Sequence, residues 1–452
     1  MRTKAIDRQI FRLAIPNILG NLSVPLLSSV DTALVGHLPS PVYIGAVALG
    51  GMIFNFIYWG FGFLRMGTTG LTAQAFGEKN THETHILLQR AVLIAFLTGF
   101  ALILLQGPIA YVSFWLIHGS PQIEQLAKEY FFIRIFAAPA TLGLYAIHGW
   151  FLGMQNARFP LIVTIAVNVL NIIFDFLFVL VFKMNSDGVA LGTVLAQYLG
   201  LLLTLVLLSK YYRTYLKPLP VKTLLALKPM RRFIAVNTDI FIRTLSLIFA
   251  FSFFTAQSAG LGEIPLAANS ILIQFWMFFS YAIDGFAFAA ESLVGKFIGS
   301  GEQKHLVLSV RRIFLFGILS GVMFSVVYLL LRNLLPVLFT NDAAVLQTIA
   351  RLIPWTILAP LVASVCYIWD GIFIGATATR GLRNAMVVST FVIYLPAHYL
   401  FLSLWQIQGM WAALLLFMLA RGLGLTVLSK KYLGLSPRLL LPWTRLNNKS
   451  VL

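Results

Sequence analysis

The chain has 452 residues, of which 59% are hydrophobic and only 11% charged, whereas a soluble domain carries roughly a quarter charged residues to cover its surface. This excludes a soluble enzyme and leaves a protein whose main solvent is hydrocarbon. The net charge of +18 does not point to nucleic acid, because the bases sit in short stretches between long apolar runs, as membrane topology signals do.

The amino end carries Arg2, Lys4, Arg8 and Arg12 and then runs into an apolar stretch with no small-residue cleavage pattern. It reads as a retained first helix that enters the membrane from the cytoplasm. A spanning helix needs about 20 mainly apolar residues, and turn and charge clusters delimit twelve candidates. They cover 11–35, 44–72, 87–112, 125–150, 160–181, 188–209, 236–259, 266–293, 310–331, 345–372, 384–402 and 407–429. The expected fold is an all-α polytopic membrane protein of twelve transmembrane helices. Lysine and arginine concentrate in alternate connections, while the opposite ones hold Lys183 and Arg332. Both termini therefore come out cytoplasmic in a multi-pass protein of the inner membrane.

In chain order, the first helix places Asn17, Asn21, Ser28 and Asp31 near one face by steps of three and four. A charge in hydrocarbon costs about 2.5–3.5 kcal/mol on insertion scales, so each buried acid needs a partner, a wet cavity or a proton. Asp31 is thus a proton or cation site, the alternative being a structural hydrogen-bonding acid near the membrane surface. Pro16 and Pro25 lie in the same helix, and a mid-helix proline removes a backbone bond and bends the axis. Local spacing favours Pro25, six residues before Asp31, and a static bend is the plain alternative.

The fifth helix carries Asn168, Asn171 and Asp175 on one narrow polar face, and the sixth adds Thr193 and Gln197 one turn apart. If helices 1, 5 and 6 surround a cavity, Asp31 and Asp175 become two carboxylates that resist simultaneous ionisation. Such a pair holds a proton or a monovalent cation and titrates as a unit; the alternative for Asp175 is a static network.

The longest connection, 210–235, contains Pro218, Pro220 and Pro229 with many bases and reads as a cytoplasmic linker facing an anionic leaflet. It separates an amino-terminal lobe, 1–209, from a carboxy-terminal lobe, 236–430, with a cytoplasmic tail over 431–452. A repeat supports this division: an offset of 222 residues superimposes Gly77 on Gly299, Gly149 on Gly371, Gly153 on Gly375 and Arg158 on Arg380. An offset of six helices gives parallel repeats, related by an axis along the membrane normal, with a cleft suited to alternating access.

In the second half Asp239 and Arg243 stand at i and i+4, and mutual neutralisation accounts for them. Asp284 and Asp370 have no base within four residues and are candidates for an acidic wall of a cavity. Arg65, Arg134, Arg351 and Arg421 pair with such acids or snorkel to the interface. Trp59, Tyr145, Trp276, Tyr281, Tyr367 and Trp369 could pack an apolar ligand or offer π faces to an organic cation, core packing being the plainer role. There is no phosphate-binding glycine loop and no metal-ligand spacing among the seven histidines. The expectation is therefore no enzyme, no cofactor and no metal, with energy drawn from an ion gradient.

The runs IPNILGNLSVPLLSSVDTALVGHL, PVYIGAVALG, GTTGLTAQAFGEKN and DGFAFAAESLVGKFIGSGE resemble the multidrug and toxic compound extrusion (MATE) family, nearest its bacterial DinF-type branch. The resemblance spans residues 8 to 430 and implies two six-helix lobes. It also implies export of small organic cations and amphiphiles in exchange for protons or sodium, by a protein functional as a monomer. It matches Asp31 to an essential helix 1 aspartate, Asn171 and Asp175 to a helix 5 pair, and Thr193 to a helix 6 threonine. It makes Pro16 the bending proline, against the local preference for Pro25. Asp370 looks like a helix 10 acid of the sodium-coupled branch, whose helix 7 glutamate has no obvious counterpart here. The expected function is a proton-coupled antiporter, with a sodium-coupled antiporter or a lipid or amphiphile flippase as alternatives.

Overall fold

In a computed structural model the described residues are 2–36, 40, 42–117 and 119–434, and the side chains of 2, 26, 28–33, 35 and 36 are outside that description. The described residues form helices and no strand. Eleven helical stretches are long and apolar enough to cross a membrane: Val42–Gly77 (α2), Thr81–Leu104 (α3), Pro121–Gly153 (α4), Arg158–Val181 (α5), Ser186–Tyr211 (α6), Leu227–Gly260 (α7), Glu263–Gly299 (α8), Gln303–Leu330 (α9), Ala343–Gly375 (α10), Thr379–Trp405 (α11) and Ile407–Leu433 (α12). They follow α1, Arg2–Gly36, a 35-residue helix with no charge between 13 and 30. Helices satisfy every internal backbone group, which is what a spanning segment requires in lipid. Large apolar side chains such as Leu104, Val392 and Val427 remain more than half exposed, as lipid-facing residues do.

Several helices run further than their apolar cores predict. α3 starts at Thr81, six residues before the expected span, because Asn80 caps it by accepting from the Glu83 amide at 2.9 Å. α7 starts at Leu227 and not at 236, with Pro229 in its first turn, where a missing amide costs nothing. α10 is capped by Asp342, which accepts from the amides of Ala344 and Val345. α1 continues as a helix through both Pro16 and Pro25.

The chain divides into two compact units. One runs from Ala235 onward and includes 76–79 and the chain up to Ile18. In it the start of α1 is tied to α9 by a two-pronged ion pair, Arg312 Nε and Nη2 donating to Asp7 Oδ1 and Oδ2 at 2.6 and 2.7 Å. The other comprises Leu19–Ala75 and Asn80–Ile234, with a core of Trp150, Phe151, Ile147 and Val163. α1 passes from one unit to the other two residues after Pro16.

The 222-residue offset recurs in the backbone. A Cβ on Gly149 would meet the Arg65 carbonyl oxygen at 2.3 Å, and one on Gly371 would meet that of Ala287 at 2.2 Å. Each pair of helices, α2 with α4 and α8 with α10, thus touches backbone to backbone at the same repeat position. Positive φ recurs too: Lys79 (58°) matches Gly301 (70°), and Gln155 (63°) matches Thr377 (52°).

Candidate functional site

Among the described residues, each unit holds a buried acid with its polar partners inside the spans, Asp175 in one and Asp370 in the other. The first is on α5 and α6. Asn171 and Asp175 lie one turn apart on the same face of α5, 3% and 0% exposed, and Asn171 Nδ2 donates to Asp175 Oδ2 at 2.9 Å. The carboxylate lies against α6 where that helix lacks a side chain: a Cβ on Gly192 would stand 2.3 Å from Asp175 Oδ1. The neighbouring Thr193 is buried and donates to the Val189 carbonyl of its own helix at 3.0 Å. Gln197, one turn on, is half-buried. Asn168 reaches from α5 to α1, its Nδ2 donating to Ser23 Oγ at 2.8 Å, and Ser23 in turn donates to the Gly20 carbonyl.

On α1 the polar stripe is divided. Asn17 is buried and donates to the Leu13 carbonyl at 2.7 Å within its own helix, and Asn21 is half-buried. The side chains of Ser28 and Asp31 lie outside the described residues. Two contributors were missed by the sequence reading. Ser23 falls off the stripe that joins Asn17, Asn21 and Ser28 by one position, and Gly192 carries no chemistry of its own. Its only sequence signal is that it precedes Thr193 on the face turned to α5.

The second place is on α7, α10 and α12. Asp370 is 5% exposed and its Oδ2 accepts from two guanidiniums, Nη2 of Arg243 on α7 and Nη2 of Arg421 on α12, the latter at 2.7 Å. Arg421 also lies over the Phe417 ring, 5.3 Å from its centroid. This corrects two expectations. Asp239 and Arg243 do not neutralise each other: Asp239 accepts instead from Arg383 Nη1 at 2.6 Å and Thr379 Oγ1 at 2.9 Å, both on α11. Asp370 is not an open acid of a cavity wall, since the buried Asp370 draws Arg243 across from α7. A helix-local pair yields here to tertiary partners that hold each carboxylate from two sides.

Asp284, half-buried on α8, lies within electrostatic reach of Tyr281 and Tyr367. The Tyr367 hydroxyl accepts from Ser280 Oγ at 3.1 Å and Trp276 Nε1 at 3.3 Å. Trp369 is 1% exposed and donates to Thr426 Oγ1, so it belongs to the core. Arg134, on α4, donates to the Tyr130 hydroxyl and lies 5.1 Å from the Phe54 ring centroid. Among the described residues no group of three or more histidine, cysteine or acidic side chains could hold a metal ion.

Comparison with known proteins falls in line with this geometry. The MatE family profile matches residues 16–177 and 240–400. The chain is 36% identical over 428 residues to the DNA damage-inducible protein F of Escherichia coli, covering 94% of this chain and 92% of that one. It is 26% identical to the human multidrug and toxin extrusion protein 1, covering 90% and 72% of the two chains. Among solved structures, a MOP superfamily transporter from Pyrococcus furiosus superposes with a TM-score of 0.85 at 16% identity, covering 94% and 95%. A Vibrio cholerae MATE transporter in the bent form gives 0.83 at 19% identity, covering 96% and 98%. These two likenesses establish a shared two-lobe, all-helical fold.

Proposed function

The chain belongs to the MatE family of multi-pass membrane transporters, and from that premise we propose that it exports small organic cations and amphiphiles by alternating access, in exchange for protons. The observation that carries the choice of coupling ion is the full burial of the Asp175 carboxylate on a spanning helix. Asp370 has guanidinium partners that supply its counter-charge permanently. Asp175, with zero exposure, accepts a hydrogen bond from the amide of Asn171. A carboxylate fully buried on a spanning helix is one whose charge a proton can switch off, because burial favours the neutral form.

In this scheme Asp31 and Asp175 take up protons while the transporter faces outward, with Asn171 and Thr193 in their hydrogen-bonding surroundings. Asn17, Asn21, Ser28, Asn168 and Gln197 extend that network. Loss of charge rearranges it, α1 bends at Pro16 or Pro25, and the drug leaves. The position of Pro16, two residues before α1 passes between units, supports Pro16. Deprotonation towards the cytoplasm restores affinity for an organic cation, and Asp284 with Tyr281 and Tyr367 offers that cation a carboxylate and π faces in the carboxy-terminal lobe. The lobes 1–209 and 236–430 rock about the linker 210–235, within one monomer of the inner membrane whose termini are both cytoplasmic. Coupling needs only that protonation and drug binding disfavour each other by about 1–3 kcal/mol.

The test is ethidium counterflow in proteoliposomes under imposed proton or sodium gradients. A proton gradient alone should drive uptake, and Asp31→Asn or Asp175→Asn should abolish the drive while leaving ethidium binding. Uptake driven only by sodium, or undiminished proton-driven uptake in Asp31→Asn, would overturn the proton scheme. Movement of labelled lipid instead of ethidium would point to the flippase.

A further inference from the structure

The stretch 210–235, from the end of α6 through the connection into the first turns of α7, carries seven bases, Lys210, Arg213, Lys217, Lys222, Lys228, Arg231 and Arg232, and no acid. All seven are exposed. Between them stand apolar side chains that the protein leaves uncovered: Val221 is 64%, Leu225 52% and Leu227 84% exposed. A segment with three prolines and this composition would ordinarily be a loose tether. Here it is fastened down. Gln89 on α3 grips it with both ends of its amide, Nε2 donating to the Lys217 carbonyl at 2.6 Å and Oε1 accepting from the Leu219 amide at 3.1 Å. One residue on, Arg90 Nε donates to the Leu224 carbonyl at 3.0 Å, and Leu224 itself is buried.

We infer that this strap is a built docking surface for anionic phospholipid, with Val221, Leu225 and Leu227 entering the boundary between headgroups and acyl chains while Lys217, Lys222 and Lys228 meet lipid phosphates. Both ends of the strap are fixed to helices that leave the membrane, so it lies at the depth where headgroups are. An apolar set flanked by lysines is the pattern of an interfacial anchor, and each base near an anionic surface adds its own increment of attraction. Exposed leucine and valine facing water would be a cost without return, whereas at this depth they are covered. The Gln89 and Arg90 contacts hold the bases in place beforehand, so lipid binding does not have to order the chain. The surface is independent of which ion or substrate the transporter uses.

The test uses the full-length chain in liposomes with a fluorophore on Val221→Cys; the native thiol, Cys366, is buried and does not compete for label. Quenching by brominated phosphatidylglycerol is compared with quenching by brominated phosphatidylcholine at equal mole fraction. The expected result is quenching by both, with the anionic lipid enriched at the probe by about fivefold or more, and this preference should fall about threefold to fivefold for each of Lys217→Gln, Lys222→Gln and Lys228→Gln. Lys→Arg at the same positions should restore it. Gln89→Leu, which leaves the charge unchanged, should weaken it about twofold. Equal quenching by the two lipids, no quenching by either, or a preference indifferent to the lysines would overturn the inference, whatever ethidium transport shows.

Discussion

Replacing Gly192 by alanine puts a Cβ 2.3 Å from Asp175 Oδ1 and 3.3 Å from both the Asp175 amide nitrogen and Phe174 Cβ. Neither backbone can give way cheaply, because both belong to spanning helices packed along their length. The carboxylate must therefore rotate by about 1 Å or more, at an overpacking cost of about 1–3 kcal/mol. If rotation also breaks its bond to Asn171, the loss of a charge-assisted hydrogen bond adds about 1.5–3 kcal/mol. Proton-driven ethidium efflux in everted vesicles should then fall at least tenfold, since about 1.4 kcal/mol already accounts for a factor of ten. Thermal unfolding of the solubilised chain should shift downward in parallel. Gly107→Ala is the control, with nothing within 4 Å of its Cβ, and should change neither measurement. Removing the obstructing atom separates the two effects: in an Asp175→Ala background the Gly192→Ala change should cost much less stability, while transport stays lost. A Gly192→Ala chain that pumps and melts like Gly107→Ala would refute the reading that α6 presses on the Asp175 carboxylate.

Asp370→Asn leaves two arginines buried without their carboxylate and should destabilise the chain by about 3–5 kcal/mol, whereas replacing Asp370, Arg243 and Arg421 together by apolar residues should recover most of that loss in the same melting assay. The Asp7 and Arg312 pair is partly exposed, at 21% and 26%, so Asp7→Asn should cost no more than about 1 kcal/mol. Exchanging the two residues should restore it. Gly149→Ala and Gly371→Ala meet backbone carbonyls at 2.3 and 2.2 Å and should lower the melting temperature by similar amounts, through about 1–3 kcal/mol or more of overpacking each. A large effect at one and none at the other would deny the repeated helix contact.

What could be read from the sequence is what depends on local pattern. Length and composition fix the spans, because a helix in hydrocarbon must be apolar for about 20 residues. Their ends escaped because α3 and α10 are extended by capping groups at Asn80 and Asp342, beyond the apolar cores. The pairing of Asp239 with Arg383 and of Asp370 with Arg421 joins residues 144 and 51 apart. Helical spacing, which favoured Asp239 with Arg243, gives no hint of such partners. Asn171 and Asp175 were found because both partners sit on one face of one helix, and Ser23 and Gly192 were missed because their significance lies in what another helix brings to them.

The repeat offers a last argument about where coupling resides. The positions that match at the 222-residue offset are those of the scaffold: Gly149 with Gly371, Gly153 with Gly375, and the left-handed turns at Gln155 and Thr377. The acids do not match. At that offset Asp370 faces His148 in the first half, and Asp175 faces Ala397 in the second. The two halves therefore share the way α2 packs on α4 and α8 on α10, but not the positions of their intramembrane acids. In the second half Asp370 accepts from two arginines, and in the first Asp175 accepts from the Asn171 amide and lies against Gly192. Two halves that share helix packing but differ in their intramembrane acids suit the proposed scheme, in which the amino-terminal lobe would carry the proton.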